Sequence, residues 1–199
     1  MASLPLHKPS RLSVDLFRGL LGGRPDEERW ELIDGVAVMM TPPTKAHQRI
    51  ASKLERLLND ALERHDPALA AYQRTGLNLA PQVEHYDPEP DVAVVDADRD
   101  NERYSDRFYL AAEIVSSSDA DYVQSKREVY KLHDACRAIL TVQQERQEVR
   151  VDRRTEHGWQ EETLNNPENT LTLAEFGLSC KVADLYRGTS LQRRHQRSR

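Results

Sequence analysis

Asp91 stands at the mouth of one apolar run, VAVV, and Glu113 lies near the end of another, FYLAAEIV. Buried strands seldom retain a carboxylate unless it is paired, hydrogen-bonded or bound to a metal, because removing water from the charge is costly. If the two strands are neighbours, both acids converge on one hard cation. Mg²⁺ (or Mn²⁺) suits such a site, since it takes a few carboxylate oxygens and keeps several waters. Taken singly, each acid has a plainer reading, Asp91 as a turn residue after Glu89-Pro90 and Glu113 as a strand-end charge that reaches solvent. Lys126 changes that balance. Tyr122 and Tyr130 lie four residues to either side of it and Val123 and Val129 three to either side. On a helix these positions share a face, which places the lysine inside an apolar stripe. A snorkelling side chain is the competing explanation.

Other chemistry-bearing residues are less specific. His47 shares the stripe of Ile50 and Leu54 at the start of a helix, where a partly buried helix-end histidine is an ordinary feature. His85, Asp87, Glu89 and Asp91 alternate as if along one face of a strand, but Pro88 and Pro90 argue for an irregular loop. Cys136 and Cys180 belong to no CxxC or Cys/His pair, so neither a disulfide framework nor a zinc site is indicated, and both are expected to be reduced and buried. Arg193, Arg194 and Arg197 in the C-terminal tail are candidate phosphate contacts, set against a flexible solubilising end.

The elements that must position these residues follow from periodicity and turn chemistry. SRLSVDLFRGLL reads as a short amphipathic helix stopped by Gly22-Gly23. RWELI and VAVMMT flank Asp34-Gly35, a strong signal for a type I′ hairpin. From Lys45 to His65, Ile50, Leu54, Leu57, Leu58, Ala61 and Leu62 recur at helical spacing. ALAAYQR, GLNLA, VAVV and FYLAAEIV read as strands, with DADRDNERYSD a polar loop between the last two. Ser118 and Asp121 form an S-x-x-D cap for a helix reaching about Ala135. RAILTVQ, QEVRVDRR and GWQEETL then suggest an antiparallel meander, and LTLAEFGLSCKVADLY short mixed elements. The order predicts an α/β (α+β mixed) protein, a mixed central sheet flanked by helices.

Composition sets outer limits. A chain of 199 residues with 38% hydrophobic and 31% charged residues can bury one substantial core. No apolar run approaches a membrane span, and MASLPLHKPSRL lacks the apolar centre of a signal peptide, so the expected location is cytoplasmic. Residues 1–186 carry 23 basic against 33 acidic groups. Such a body disfavours tight nonspecific binding of nucleic acid, while leaving room for a local basic cleft.

The ordered run ELIDG, PP, a helix beginning near His47, PDVAVV, EIVSSSD and Lys126-x-x-x-Tyr130 resembles the Uma2 family, also called DUF820, from about Trp30 to Tyr186. That family is similar to the PD-(D/E)xK, restriction-endonuclease-like nucleases. The resemblance implies residues 1–29 as an N-terminal extension, 30–186 as the nuclease-fold domain and 187–199 as a basic flexible tail. It makes Asp91 the Asp of the PD motif and Glu113 the acid of (D/E)xK, with Val115 at the usual lysine position and Lys126 supplying that cation from the following helix. The implied activity is Mg²⁺- or Mn²⁺-dependent endonucleolytic hydrolysis of nucleic acid, most simply DNA. Asp91, Glu113 and a main-chain carbonyl near Val115 would hold the metal, and Glu31, the acid of ELIDG, would reach it or its waters. A homodimer would suit action on duplex DNA.

Two departures bear on activity. The chain reads SSSD where relatives tend to read SPST, and Asp121 precedes Lys126 by five residues rather than four, a shift that turns a side chain by roughly 100° on a helix. RAILTVQ also replaces a Tyr-Trp-containing strand. The alternative is therefore a catalytically weak or inactive nuclease-fold protein that binds nucleic acid or acts as a regulatory or interaction module, since a fold does not fix an activity.

Overall fold

The protein is represented by a computed structural model that describes residues 11–25, 27–79, 82–98, 102–116 and 120–192. Helix α1 (Val14–Leu21) starts where the Ser13 side chain accepts from the Leu16 amide and ends at Gly22. Strands β1 (Trp30–Ile33) and β2 (Val36–Met39) form an antiparallel hairpin. Its turn residues Asp34 (φ 51°) and Gly35 (φ 77°) are both left-handed, as a type I′ turn requires. Val14 and Phe17 of α1 pack on Leu32, so the extension and the hairpin share one small apolar cluster.

Helix α2 (Lys45–His65) is capped by Thr44, whose hydroxyl accepts from the His47 amide. Its buried stripe of Ile50, Leu54, Leu58, Ala61 and Leu62 is the one set by its periodicity. Strands β3 (Leu69–Tyr72), β4 (Gly76–Leu77), β5 (Val92–Asp96), β6 (Tyr104–Ser105) and β7 (Phe108–Val115) follow, then α3 (Ala120–Leu132). Strands β8 (Ala138–Gln143), β9 (Val149–Thr155) and β10 (Gly158–Leu164) lead to β11 (Thr170–Leu173), a 3-10 turn, β12 (Leu178–Lys181) and α4 (Val182–Leu185).

The main sheet has six strands in the order β10-β9-β8-β7-β5-β3. It is mixed, because α3 crosses over to make β7 and β8 parallel while the other pairs are antiparallel. One face packs on α2, through Val92, Val94, Leu110, Ala112, Leu140 and Val142 among others. The opposite face packs on Val129 and Tyr130 of α3, through Ala93, Ala111 and Ile139. Every residue of β7 is buried, as its continuous apolar run predicts for a strand covered on both sides.

Three local expectations differ. GLNLA forms only the short β4, which pairs in parallel with β6 inside the segment read as a polar loop. Helix α3 stops at Leu132 rather than near Ala135, because Arg154 of β9 donates to the carbonyls of Lys131, His133 and Cys136 and so caps the helix end from across the sheet. Cys180 is half-buried rather than buried, while Cys136 is buried, and both are free. The cap involving Ser118 lies outside the described residues, and so do Arg193, Arg194 and Arg197. Before them, Leu191 packs against the core. Among the described residues, no helix is long and apolar enough to cross a membrane.

Candidate active site

Strands β5 and β7 are antiparallel neighbours, with Val92 opposite Ala112. Asp91 and Glu113 stand one residue beyond that pair, which is the adjacency their convergence needs. Asp91 occupies the point where β5 begins, and its Oδ2 accepts from the Ile114 amide at 2.8 Å, in place of a ladder bond that β5 is too short to supply. Its Oδ1 lies 2.8 Å from His47 Nε2. Thr44 fixes that histidine by capping α2, and its hydroxyl also donates to Gln144 beyond β8.

Lys126 reaches the same place from α3. Its Nζ lies 2.7 Å from Glu113 Oε1 and 2.9 Å from Glu31 Oε2 on β1. Glu31, Glu113 and Lys126 are only 2%, 5% and 3% exposed, so these charges interact with little screening by water. The Glu31 contact is an ion pair without the alignment of a good hydrogen bond. Tyr130, one turn beyond Lys126 and fully buried, donates its hydroxyl to Glu113 Oε1 at 2.8 Å.

Charge balance decides the protonation states. Burial pushes the Glu113 carboxyl up to about 7; Lys126 pulls it down, and the neighbouring charges of Asp91 and Glu31 push it further up. Burial alone would lower the Lys126 ammonium, but Glu113 and Glu31 outweigh it and raise it above its ordinary value. Burial, then Glu113, raise the Tyr130 phenol well above its usual range. Lys126 therefore stays protonated and acts as a fixed cation, and Tyr130 stays a donor.

Asp91, Glu113, Glu31, Lys126 and His47 all line an open cavity of about 410 Å³ between the hairpin, α2 and α3. Among the described residues, no three His, Cys, Asp or Glu side chains are gathered tightly enough to hold an ion by themselves. Two hard carboxylates beside an open cavity nevertheless suit a cation that keeps most of its waters. Asp91, Glu113 and Glu31 outnumber Lys126 at the cavity wall, a surplus of carboxylates that a divalent cation would relieve, so the residues present fit Mg²⁺ or Mn²⁺. The Val115 carbonyl accepts from the Gln144 amide at 2.9 Å and is turned toward β8. Strand alternation turns Ile114, whose amide meets Asp91, toward the β5 side.

Sequence reasoning missed several features. Tyr122 is 53% exposed and is not part of the buried face with Lys126. That face instead holds Arg127, 2% exposed, which grips Asp152 of β9 with Nε at 3.0 Å and Nη2 at 2.6 and 2.7 Å. The apolar stripe marked Lys126, but nothing in the local sequence marked its neighbour Arg127, and each cation meets its own buried acid. The acids preceding Asp91 are each committed elsewhere. Asp87 binds Arg18 through two contacts of 3.0 and 2.6 Å, and Glu89 lies 3.5 Å from Arg29. They form structural ion pairs rather than a second metal site.

A mixed sheet flanked by helices, with acids at the ends of two adjacent strands facing a cleft, defines a restriction-endonuclease-like fold. The Uma2 family, described as "putative restriction endonuclease", matches residues 14–183, and the chain belongs to that family. Its structure is similar to that of a DUF820 protein from Anabaena variabilis described as a "putative nuclease", with TM-score 0.70 and 16% identity over 88% of this chain and 97% of that one. No curated protein matches the chain.

Proposed function

We propose that this protein is a divalent-metal-dependent nuclease of the PD-(D/E)xK type that hydrolyses DNA phosphodiester bonds. The meeting of Asp91, Glu113 and Lys126 on one cavity wall carries this reading. Asp91 and Glu113 would hold Mg²⁺ or Mn²⁺. With the Val115 carbonyl engaged by Gln144, the Ile114 carbonyl is the better main-chain candidate to join them. When bound, the ion would polarise the phosphate and lower the pKa of a coordinated water.

The remaining roles belong to the chain itself. Lys126 keeps its proton on Nζ and supplies fixed positive charge for the phosphate oxygens as the water oxygen bonds to phosphorus and the P–O bond to the leaving alcohol breaks. Glu31 anchors Lys126, Tyr130 sets the Glu113 carboxylate and His47 sets that of Asp91. The test is cleavage of DNA in Mg²⁺ or Mn²⁺ by Asp91→Ala, Glu113→Ala and Lys126→Ala, with folding checked by circular dichroism. Loss of cleavage in all three folded variants is the expected result, and undiminished metal-dependent cleavage by all of them sinks the assignment.

One observation favours a noncatalytic nucleic-acid-binding reading on the same scaffold. The Lys126 side chain is 4% exposed and held by two carboxylates, which restrains it from meeting a substrate. Calorimetric titration separates the two, because a vestigial site binds Mn²⁺ weakly or not at all.

A further inference from the structure

A second cavity, of about 340 Å³, adjoins the first and shares Val115, Ser116 and Val123 with it. Its floor is the outer part of a polar row across the sheet, formed by Thr141, Arg150 and Thr163. Glu113 lies opposite Thr141, Thr141 opposite Arg150, and Arg150 opposite Thr163. Directly opposed residues share a face, so the row extends from the candidate catalytic carboxylate out to edge strand β10. On the same face, Ile139, two residues before Thr141, belongs to the core under α3, and Asp152 opposite it is neutralised by Arg127.

Two donors in this row are unused. Thr141 is 5% exposed, and its Oγ1 is buried with no hydrogen-bond partner among the described residues. Arg150 Nε is likewise buried without one. A buried donor left unpaired is costly, and valine would fill the Thr141 position without that cost. Arg150 is only loosely held, by Gln124 Oε1 at 3.3 Å and Glu161 at 3.9 Å. The nearby carboxylates lie closer to other cations, Glu148 to Arg146 at 2.7 Å and Glu161 to Arg127 at 3.0 Å. Unspent donors and a weakly compensated cation beside a phosphodiester site suit an anion.

We infer that this cavity is a subsite for a phosphate flanking the scissile one in a nucleic-acid strand, with the Thr141 hydroxyl and the Arg150 guanidinium as its donors. The inference rests on the nuclease reading for the identity of the strand, and its test does not depend on turnover. Binding of a fluorescein-labelled single-stranded DNA is measured by anisotropy with Ca²⁺ in place of Mg²⁺. Thr141→Val melts at the same or a higher temperature, because it removes an unpaired hydroxyl, yet binds about tenfold more weakly. Arg150→Gln also weakens binding and lowers the slope of log affinity against log salt by about one. Inorganic phosphate alone binds far more weakly than the strand.

Cleavage of bis(4-nitrophenyl) phosphate, which has no flanking phosphate, is followed in parallel and stays unchanged in both variants. Weakened strand binding without cleavage of any substrate upholds the subsite and removes the nuclease reading. Wild-type cleavage with unaltered strand binding in both variants does the reverse. A wild-type protein that binds no strand, or that binds inorganic phosphate as tightly as the strand, overturns the subsite.

Discussion

Lys126 Nζ on α3 and Glu113 Oε1 on β7 lie 2.7 Å apart, with both side chains almost wholly removed from solvent. This contact ties the crossover helix to the strand it follows, so the same pair that marks the site also holds the fold together.

Removing the cation should therefore cost stability in a pH-dependent way. Lys126→Met leaves Glu31 and Glu113 buried without their partner, a loss of roughly 3–5 kcal/mol for one member of a buried pair. The deficit should be largest near pH 8 and shrink toward pH 5, where Glu113 takes up a proton. Urea unfolding at the two pH values measures it, and an equal deficit at both would contradict the buried-pair account.

Metal affinity should follow the protonation of Glu113. Its carboxyl is raised to about 7, first by burial, so protons compete with the ion below that value. Mn²⁺ affinity should rise up to about tenfold per pH unit as pH approaches 7 and then level off. The stability sign is opposite. A carboxyl whose folded pKa exceeds its unfolded value contributes stability that is fully present below pH 4.5 and is lost as pH rises through 7. Calorimetry with Mn²⁺ across this range provides the measurement.

Tyr130→Phe removes one donor from the charged form of Glu113 and nothing else from its shape. The midpoint of the Mn²⁺ pH profile should move upward, and stability should fall by about 1–2 kcal/mol. A midpoint that stays in place or moves down would show that the phenol does not support the carboxylate.

The Arg127–Asp152 pair offers a structural control away from the cavity. Asp152→Leu leaves the guanidinium buried with only Gln124 and Glu161 as partners, at a cost of roughly 3–5 kcal/mol. Arg127→Met combined with Asp152→Leu should recover most of that loss. Chemical denaturation of the single and double variants decides it.

Local chemistry made much of this molecule readable from its residues. Asp34-Gly35 fixed the hairpin because few pairs accept two left-handed conformations, and the spacing from Ile50 to Leu62 fixed α2 because burial along a helix has one period. Asp91 and Glu113 stood out because a charge beside an apolar run is expensive. Lys126 stood out for the same reason, although one of the neighbours used to argue for it, Tyr122, faces solvent. The pairing of β4 with β6, the truncation of α3 by Arg154 and the burial of Arg127 on Asp152 depended on partners far away in sequence. No window of sequence contains both halves of such contacts. The convergence of Glu31 and Glu113 on one ammonium, and the row that carries polar groups from Glu113 to Arg150, likewise arose only when strand order and register were set. Periodicity determined which residues face inward; the crossover of α3 and the sheet order decided which of them meet.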